Sequence, residues 1–381
     1  MKNDLNQDKN ELRVSTLELF FDLVFVFTIT QLTVFVEHHL SLVGILKATA
    51  IFTLLYWMYS GYSWLTNQVP PNALSRRVLL LGGMAAFLTC ALAIPNAFDK
   101  SALAFAVSYS LVVLVHSCLY ALEHRATVWR FVPFNLIGAI CLIAAAFTNE
   151  SIQVALWGVA IGLLFLVTAL LAGNISDQKS SGYNLQPGHF VERHGLLLII
   201  AFGESIIAIG IALGRVEFTP IVSFSALPGL GLISSLWWLF FTSDQVWSER
   251  RLHAAPVKDK VRLALLGYYF TFIPIMLGIV CLSAGLGHAV SHITHTLPSE
   301  FALLLGSGTA LYLLGISAFR GVFDLHPVFI RVVGAICAIA TYWAGVGCSA
   351  LIQVALLIII VMLLIFVESW FPETHSDRMT Y

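Results

Sequence analysis

Twelve apolar stretches follow one another along the chain, at residues 17–38, 42–65, 78–95, 101–121, 131–148, 152–173, 189–213, 221–247, 261–287, 300–319, 328–346 and 350–370. Each is close to the roughly 20 residues with which an α-helix crosses about 30 Å of hydrocarbon. The polar segments between them are too short to form a soluble domain. Only structures that satisfy their own backbone groups can span lipid, and a helix does so within one segment. The pattern therefore predicts an all-α polytopic membrane protein of about twelve transmembrane helices, with the lipid bilayer as its first partner. The first stretch follows MKNDLNQDKNELR, which holds acids and no clear small-residue cleavage site. It reads as a retained first helix and not as a signal peptide.

Charge orients this array. If the N-terminus is cytoplasmic, only Lys47, Lys100 and Arg215 of the 20 lysines and arginines fall on the outside. That is the asymmetry the positive-inside rule requires, so both termini are expected in the cytoplasm. Hydrophobic residues make up 59% and charged residues 11% of the chain, and the net charge of −1 supplies no basic field for nucleic acid. The basic loop SERRLHAAPVKDKVR (248–262) reads as a topogenic anchor, with anionic lipid as a lesser contact. Cys90, Cys118, Cys141, Cys281, Cys337 and Cys348 lie in or beside apolar stretches without CxxC spacing, as small packing residues do. No Walker loop, GxSxG elbow, HExxH or HxE…CxxC pattern occurs, so no cofactor and no metal site is expected.

The second half of the chain lays over the first. Glu18 matches Glu192, and Trp57 matches Trp238. Arg77-Val-Leu-Leu-Leu-Gly82 matches Arg262-Leu-Ala-Leu-Leu-Gly267, and Gly138-Ala-Ile-Cys141 matches Gly334-Ala-Ile-Cys337. Ile152-Gln-Val-Ala-Leu156 matches Ile352-Gln-Val-Ala-Leu356. The matches are collinear, with offsets that rise steadily as loops lengthen. They predict two parallel six-helix repeats, residues 1–178 and 179–381, joined by a Gly-, Ser- and Pro-bearing linker across 173–188.

Ionisable groups within apolar helices are costly and mark functional candidates. Glu18 and Asp22 are one turn apart at the start of the first helix, on a stripe continued by Phe25 and Ile29. Glu18 has an equally good reading as an acid favouring a helix N-terminus; Asp22, a turn deeper, calls for a buried partner. The seventh helix opens with His189, Glu192 and Arg193, either a functional group or an interfacial ion cluster that locks the helix ends. Glu204, followed by Ser205, lies eleven residues beyond Arg193 on nearly the same face, roughly 16 Å further along the helix, near the bilayer midplane. Gly203, Gly210 and Gly214 form a small-residue face suited to close helix packing. Asp244 is expected to pair with Arg250 or Arg251. His116 reads as a core histidine, and His288, His292 and His295 as a solvated loop cluster.

Two segments carry a family resemblance: Glu18-Leu-Phe-Phe-Asp22-Leu-Val-Phe-Val, and Glu192-Arg-His-Gly-Leu with Ile200-Ala-Phe-Gly-Glu204-Ser205. Together they resemble the signature of the bacterial low-temperature-requirement A (LtrA) family, polytopic membrane proteins named for a growth phenotype in the cold. The resemblance covers nearly the whole chain and implies a bacterial plasma (inner) membrane location. It highlights Glu18, Phe21, Asp22, Glu192, Arg193, Gly203, Glu204 and Ser205 and implies no settled molecular activity. Phe21-Asp22 with Val24-Phe25 is also similar to the first-helix signature of a potassium-channel family of six-helix repeats. The serine of that signature and its copy in the seventh helix are lacking here.

The leading expectation is a proton-coupled secondary transporter of a small solute, the acids suiting a cationic or proton-exchanged cargo. Its proton and substrate site would draw on Glu18, Asp22, His189, Glu192, Arg193, Glu204 and Ser205. A channel lined by helices 1 and 7 is the second reading. An intramembrane lipid-modifying enzyme is the third, and it lacks a second catalytic group within a helical turn of Glu204.

Overall fold

In a computed structural model, residues 14–69, 71, 73–123, 125–173, 185–214, 217 and 220–371 are described. The expected linker, over 174–184, and the two terminal segments lie outside the described residues. Twelve helices account for the apolar stretches, and no strand occurs among the described residues. They are α1 (Thr16–His38), α2 (Leu42–Gln68), α3 (Leu74–Ala93), α4 (Ala102–Glu123), α5 (Arg125–Ala145), α6 (Glu150–Gly173) and α7 (Pro187–Leu213). Next comes α8, which runs Pro220–Leu239, passes through a π-helical turn at Phe240–Asp244 and continues as Gln245–Ala254. Its neighbour α9 is built the same way, from Val257–Ala264, a π-helical turn at Leu265–Phe270, and Phe272–Ser291. The set closes with α10 (Ser299–Val322), α11 (Phe329–Ala340 with Tyr342–Gly347) and α12 (Ala350–Ser369).

Eleven of these helices are long and apolar enough to cross a membrane. The fifth falls short of the expected 131–148: its apolar part is Phe131–Ala145, after an opening segment that carries Arg125 and Arg130, and Pro133 lies inside it. Short polar residues start several helices. The Ser349 hydroxyl accepts from Ile352 N at 3.3 Å, and Asn149 Oδ1 accepts from Ile152 N at 3.1 Å. At α1, Ser15 and Glu18 form a reciprocal box, in which Glu18 N donates to Ser15 Oγ at 3.3 Å and Ser15 N to Glu18 Oε2 at 2.9 Å.

The described residues pack as two compact units. Of the described residues, the first takes those up to Phe35, those within Leu46–Leu197 and those of Leu252–Arg262; the second takes Val36–Ile45, those within Leu198–Arg251 and those from Leu263 on. The first unit has an aromatic core between α1, α2 and α3. Phe25 stacks on Tyr59 with ring centroids 4.4 Å apart, Phe21 lies 5.0 Å from Tyr62, and Phe87 meets Phe21 edge-on at 5.4 Å. In the second unit α9 and α10 touch through their backbones. A Cβ at Gly278 would stand 2.8 Å from Gly308 O, and one at Gly285 would stand 2.8 Å from Leu305 N. Small residues permit that approach where lipid offers no hydrophobic drive between helices. Leu92, Ile140, Val333 and Ile336 are among the large apolar side chains turned outward, as lipid-facing positions require.

Candidate functional site

The N-terminal turns of α7 meet α1 and α2 inside the first unit. Asn67, in the last turn of α2, holds the residue before Pro187 by both edges of its amide. Its Nδ2 donates to Gln186 O at 2.9 Å and its Oδ1 accepts from Gln186 N at 3.0 Å. That anchorage sets the rotation of α7 about its axis, and His189 and Arg193, one turn apart, then face α1.

Arg193 is 1% exposed and is satisfied on every nitrogen. Nε and Nη2 donate to Asp22 Oδ1 at 3.1 and 3.0 Å, while Nη1 donates to Glu18 Oε1 at 3.3 Å and to the Thr66 hydroxyl. The guanidinium also lies over the rings of Phe21 and Tyr59, 5.7 and 5.6 Å from their centroids. Tyr59 donates its hydroxyl to the same Asp22 Oδ1 at 2.9 Å. Asp22 Oδ1 thus takes three hydrogen bonds, whereas Asp22 Oδ2 is buried and has no hydrogen-bond partner. Glu18 performs both duties considered for it: it caps α1 through Ser15 and pairs with α7.

The protonation of His189 follows from its neighbours. His189 Nδ1 lies 3.1 Å from Asn67 Nδ2, and an amide nitrogen only donates. The two backbone bonds to Gln186 fix which end of the amide is the nitrogen, so Nδ1 accepts and carries no proton. Nε2 then bears the hydrogen and donates to Glu18 Oε2 at 3.3 Å. A cavity of about 10 Å³, room for one water, touches Thr66 and is lined further by Leu65, Arg76 and Leu119.

Other expected residues lie elsewhere. Glu192 is exposed and takes no place in the cluster, because its neighbour Arg193 points inward and adjacent helical positions diverge by about 100°. Glu204 and Ser205 belong to the second unit. Glu204 is buried, and the Ser205 hydroxyl is 2.6 Å from that of Ser283 on α9. Gly203 and Gly210 are not packing contacts within their unit, since a Cβ on either would meet nothing within 4 Å. His288 and His292 stack with ring centroids 4.8 Å apart, and no group of three or more metal-ligating side chains occurs among the described residues.

A second buried ionic cluster corrects the pairing expected of Asp244. Its partners are Arg320 on α10 at 2.8 Å and Arg331 on α11. Arg331 reaches Glu368 on α12 as well, with Nε donating to Oε1 at 2.8 Å and Nη2 to Oε2 at 2.9 Å. Asp244 closes the π-helical turn of α8 and is turned inward, away from the following surface segment. Arg251 pairs with Asp324 at 3.2 Å instead, and Arg250 lies over the Trp247 ring. Tyr59 and Thr66 escape sequence reading because each is unremarkable alone. Their one signal is the i, i+3, i+7, i+10 stripe of Tyr56, Tyr59, Ser63 and Thr66 on α2.

A model of the family described as bacterial low temperature requirement A protein (LtrA) matches residues 13–366. An uncharacterized protein of Rhizobium meliloti (strain 1021) is 28% identical over an alignment of 324 positions that covers 81% of this chain and 77% of that one. No solved structure matches the chain.

Proposed function

This chain belongs to the bacterial low temperature requirement A family, and from that premise we propose that it is a proton-coupled secondary transporter of a small cationic solute in the bacterial plasma membrane. The observation that carries this reading is the charge count of the buried cluster. In this reading the His189 ring accepts from Asn67 and carries no charge, so that Glu18 and Asp22 stand against Arg193 alone among the described residues. One proton removes the imbalance, and Asp22 Oδ2, buried without a partner, is the atom to hold it. A buried polar atom left unsatisfied is an exception that calls for such an occupant.

Release of that proton leaves one uncompensated negative charge inside an apolar unit, where isolated charge is strongly disfavoured. A cation drawn in from water restores neutrality. Proton and cationic cargo then compete for the same charge, which is the thermodynamic basis of exchange: each shifts the population that the other prefers. Glu204 provides a further buried carboxyl group, on α7, the helix that carries Arg193. The two collinear halves, 1–178 and 179–381, serve in this reading as parallel repeats that alternate access, with both termini cytoplasmic.

The test is proton movement in proteoliposomes, read by an internal pH dye while inorganic and organic cations are supplied outside. Wild type should show a cargo-dependent pH change that Asp22→Asn abolishes while its thermal unfolding shows a folded protein. Equal pH traces from wild type and Asp22→Asn, across the cations, would overturn the reading.

A further inference from the structure

A cavity of about 510 Å³ lies in the second unit beside the π-helical turn of α8 and the last turns of α12. Its wall includes Trp238, Thr242, Ser243, Trp247, Arg320 and Glu368. Arg320 and Glu368 supply its charge, with side chains 3% and 12% exposed and Nη1 3.6 Å from Oε2. Both belong to the four-member cluster with Asp244 and Arg331, whose two acids and two guanidiniums sum to zero. The cavity therefore offers one positive and one negative group side by side and no net field. A purely anionic guest meets Glu368, and a purely cationic one meets Arg320. A guest with a phosphate and an ammonium a short chain apart satisfies both.

The remaining wall suits the ammonium end. The Thr242 hydroxyl donates to Trp238 O at 2.7 Å and the Ser243 hydroxyl to Asp244 Oδ1 at 3.1 Å. Each oxygen keeps acceptor capacity for an N–H donor. Indole rings attract cations, and two tryptophans line the space, Trp238 and Trp247, the latter already holding Arg250 over its ring. The π-helical turn brings Thr242 and Ser243 into this wall, in keeping with the frequency of such turns at functional positions. At the mouth, Trp238 is 53% and Phe371 50% exposed, an apolar rim of the kind that meets acyl chains. Tryptophan at this level is typical of the membrane–water boundary, and the basic run from Arg250 to Arg262 follows directly in sequence.

We propose that this cavity binds the phosphoethanolamine headgroup of a zwitterionic phospholipid, with phosphate on Arg320 and ammonium on Glu368 and the indole faces. The site is independent of the transport reading and would stand if that reading failed.

Native mass spectrometry of the purified full chain in detergent tests it, with phosphatidylethanolamine and the anionic phosphatidylglycerol supplied in equal amounts. One phosphatidylethanolamine should be retained roughly tenfold over the anionic lipid, the scale of a desolvated cation–π contact. Thr242→Trp, which fills the cavity from an exposed wall position, should remove that preference. Ser369→Trp fills it from α12 and serves where the first variant does not fold. Displacement of the lipid by millimolar free phosphoethanolamine would show that the headgroup alone suffices. Retention of the lipid against the free compound would show that the acyl chains are part of the ligand. Equal retention of both lipids, or a preference unchanged in both filled variants, would overturn the proposal.

Discussion

Replacing Arg193 by methionine removes the one cation that faces Glu18 and Asp22 in the first unit while keeping much of the side-chain volume. The change deletes the two bonds to Asp22 Oδ1, the bond to Glu18 and the bond to Thr66, and it strands two buried carboxyl groups. Deleting one partner of a buried ion pair costs about 3–5 kcal/mol. Loss of an ordinary interhelical hydrogen bond inside a membrane averages about 0.6 kcal/mol, so the four bonds alone would account for about 2.4 kcal/mol, just below the ion-pair range. Arg193→Lys should fall between them. Lysine keeps the charge but gathers its donors at one point, and it cannot reach Asp22 and Glu18 with the fork of a guanidinium. Asp22→Asn should be milder than Arg193→Met, because Arg193 retains Glu18. The double variant Asp22→Asn/Arg193→Met should lose less than the sum of the singles, since it leaves one stranded carboxylate and not two. Unfolding free energies measured by steric trapping in bicelles would read these values. A loss below about 2.4 kcal/mol for Arg193→Met, or strict additivity in the double variant, would refute the ion-pair account.

Two glycine substitutions probe packing. A Cβ at Gly61 would stand 2.8 Å from His116 Nε2 and 3.1 Å from Cε1, so Gly61→Ala should lose about 1–3 kcal/mol by overpacking. The same change in a His116→Ala background should be neutral or stabilising; equal losses in both backgrounds, by thermal unfolding, would count against the contact. Gly278→Ala sets a Cβ against the backbone of Gly308 and Tyr312 and should markedly lower the unfolding temperature. Gly82→Ala, where nothing lies within 4 Å, should leave it unchanged or raise it, as alanine exceeds glycine in helix propensity by up to about 1 kcal/mol.

The twelve helices are legible because length and apolarity alone decide a membrane span, and no long-range information enters. Glu18, Asp22, His189 and Arg193 are legible for a related reason: charge is so costly in such a segment that each must find a partner, and the helical repeat aligns His189 with Arg193 and Glu18 with Asp22. Sequence does not reveal which partner. Asp244 is nearest in sequence to Arg250 and Arg251, yet a π-helical turn changes the rotation of α8 and delivers it to residues on α10 and α11. Glu192 and Arg193 have equal standing as charged residues in one turn; only the anchorage of Gln186 by Asn67 decides which of them faces inward. Tyr59 and Thr66 carry no charge and so give no such warning.

The backbone-to-backbone seam between α9 and α10 has a thermal consequence. Cohesion that depends on ordering water around apolar surface weakens on cooling. Contact between Gly278 and Gly308, or between Gly285 and Leu305, draws on dispersion at short range, and lipid on either side gives it no hydrophobic component to lose. The buried ion clusters likewise owe nothing to apolar hydration. The interior of this protein is therefore joined by forces that do not fade as the membrane is chilled.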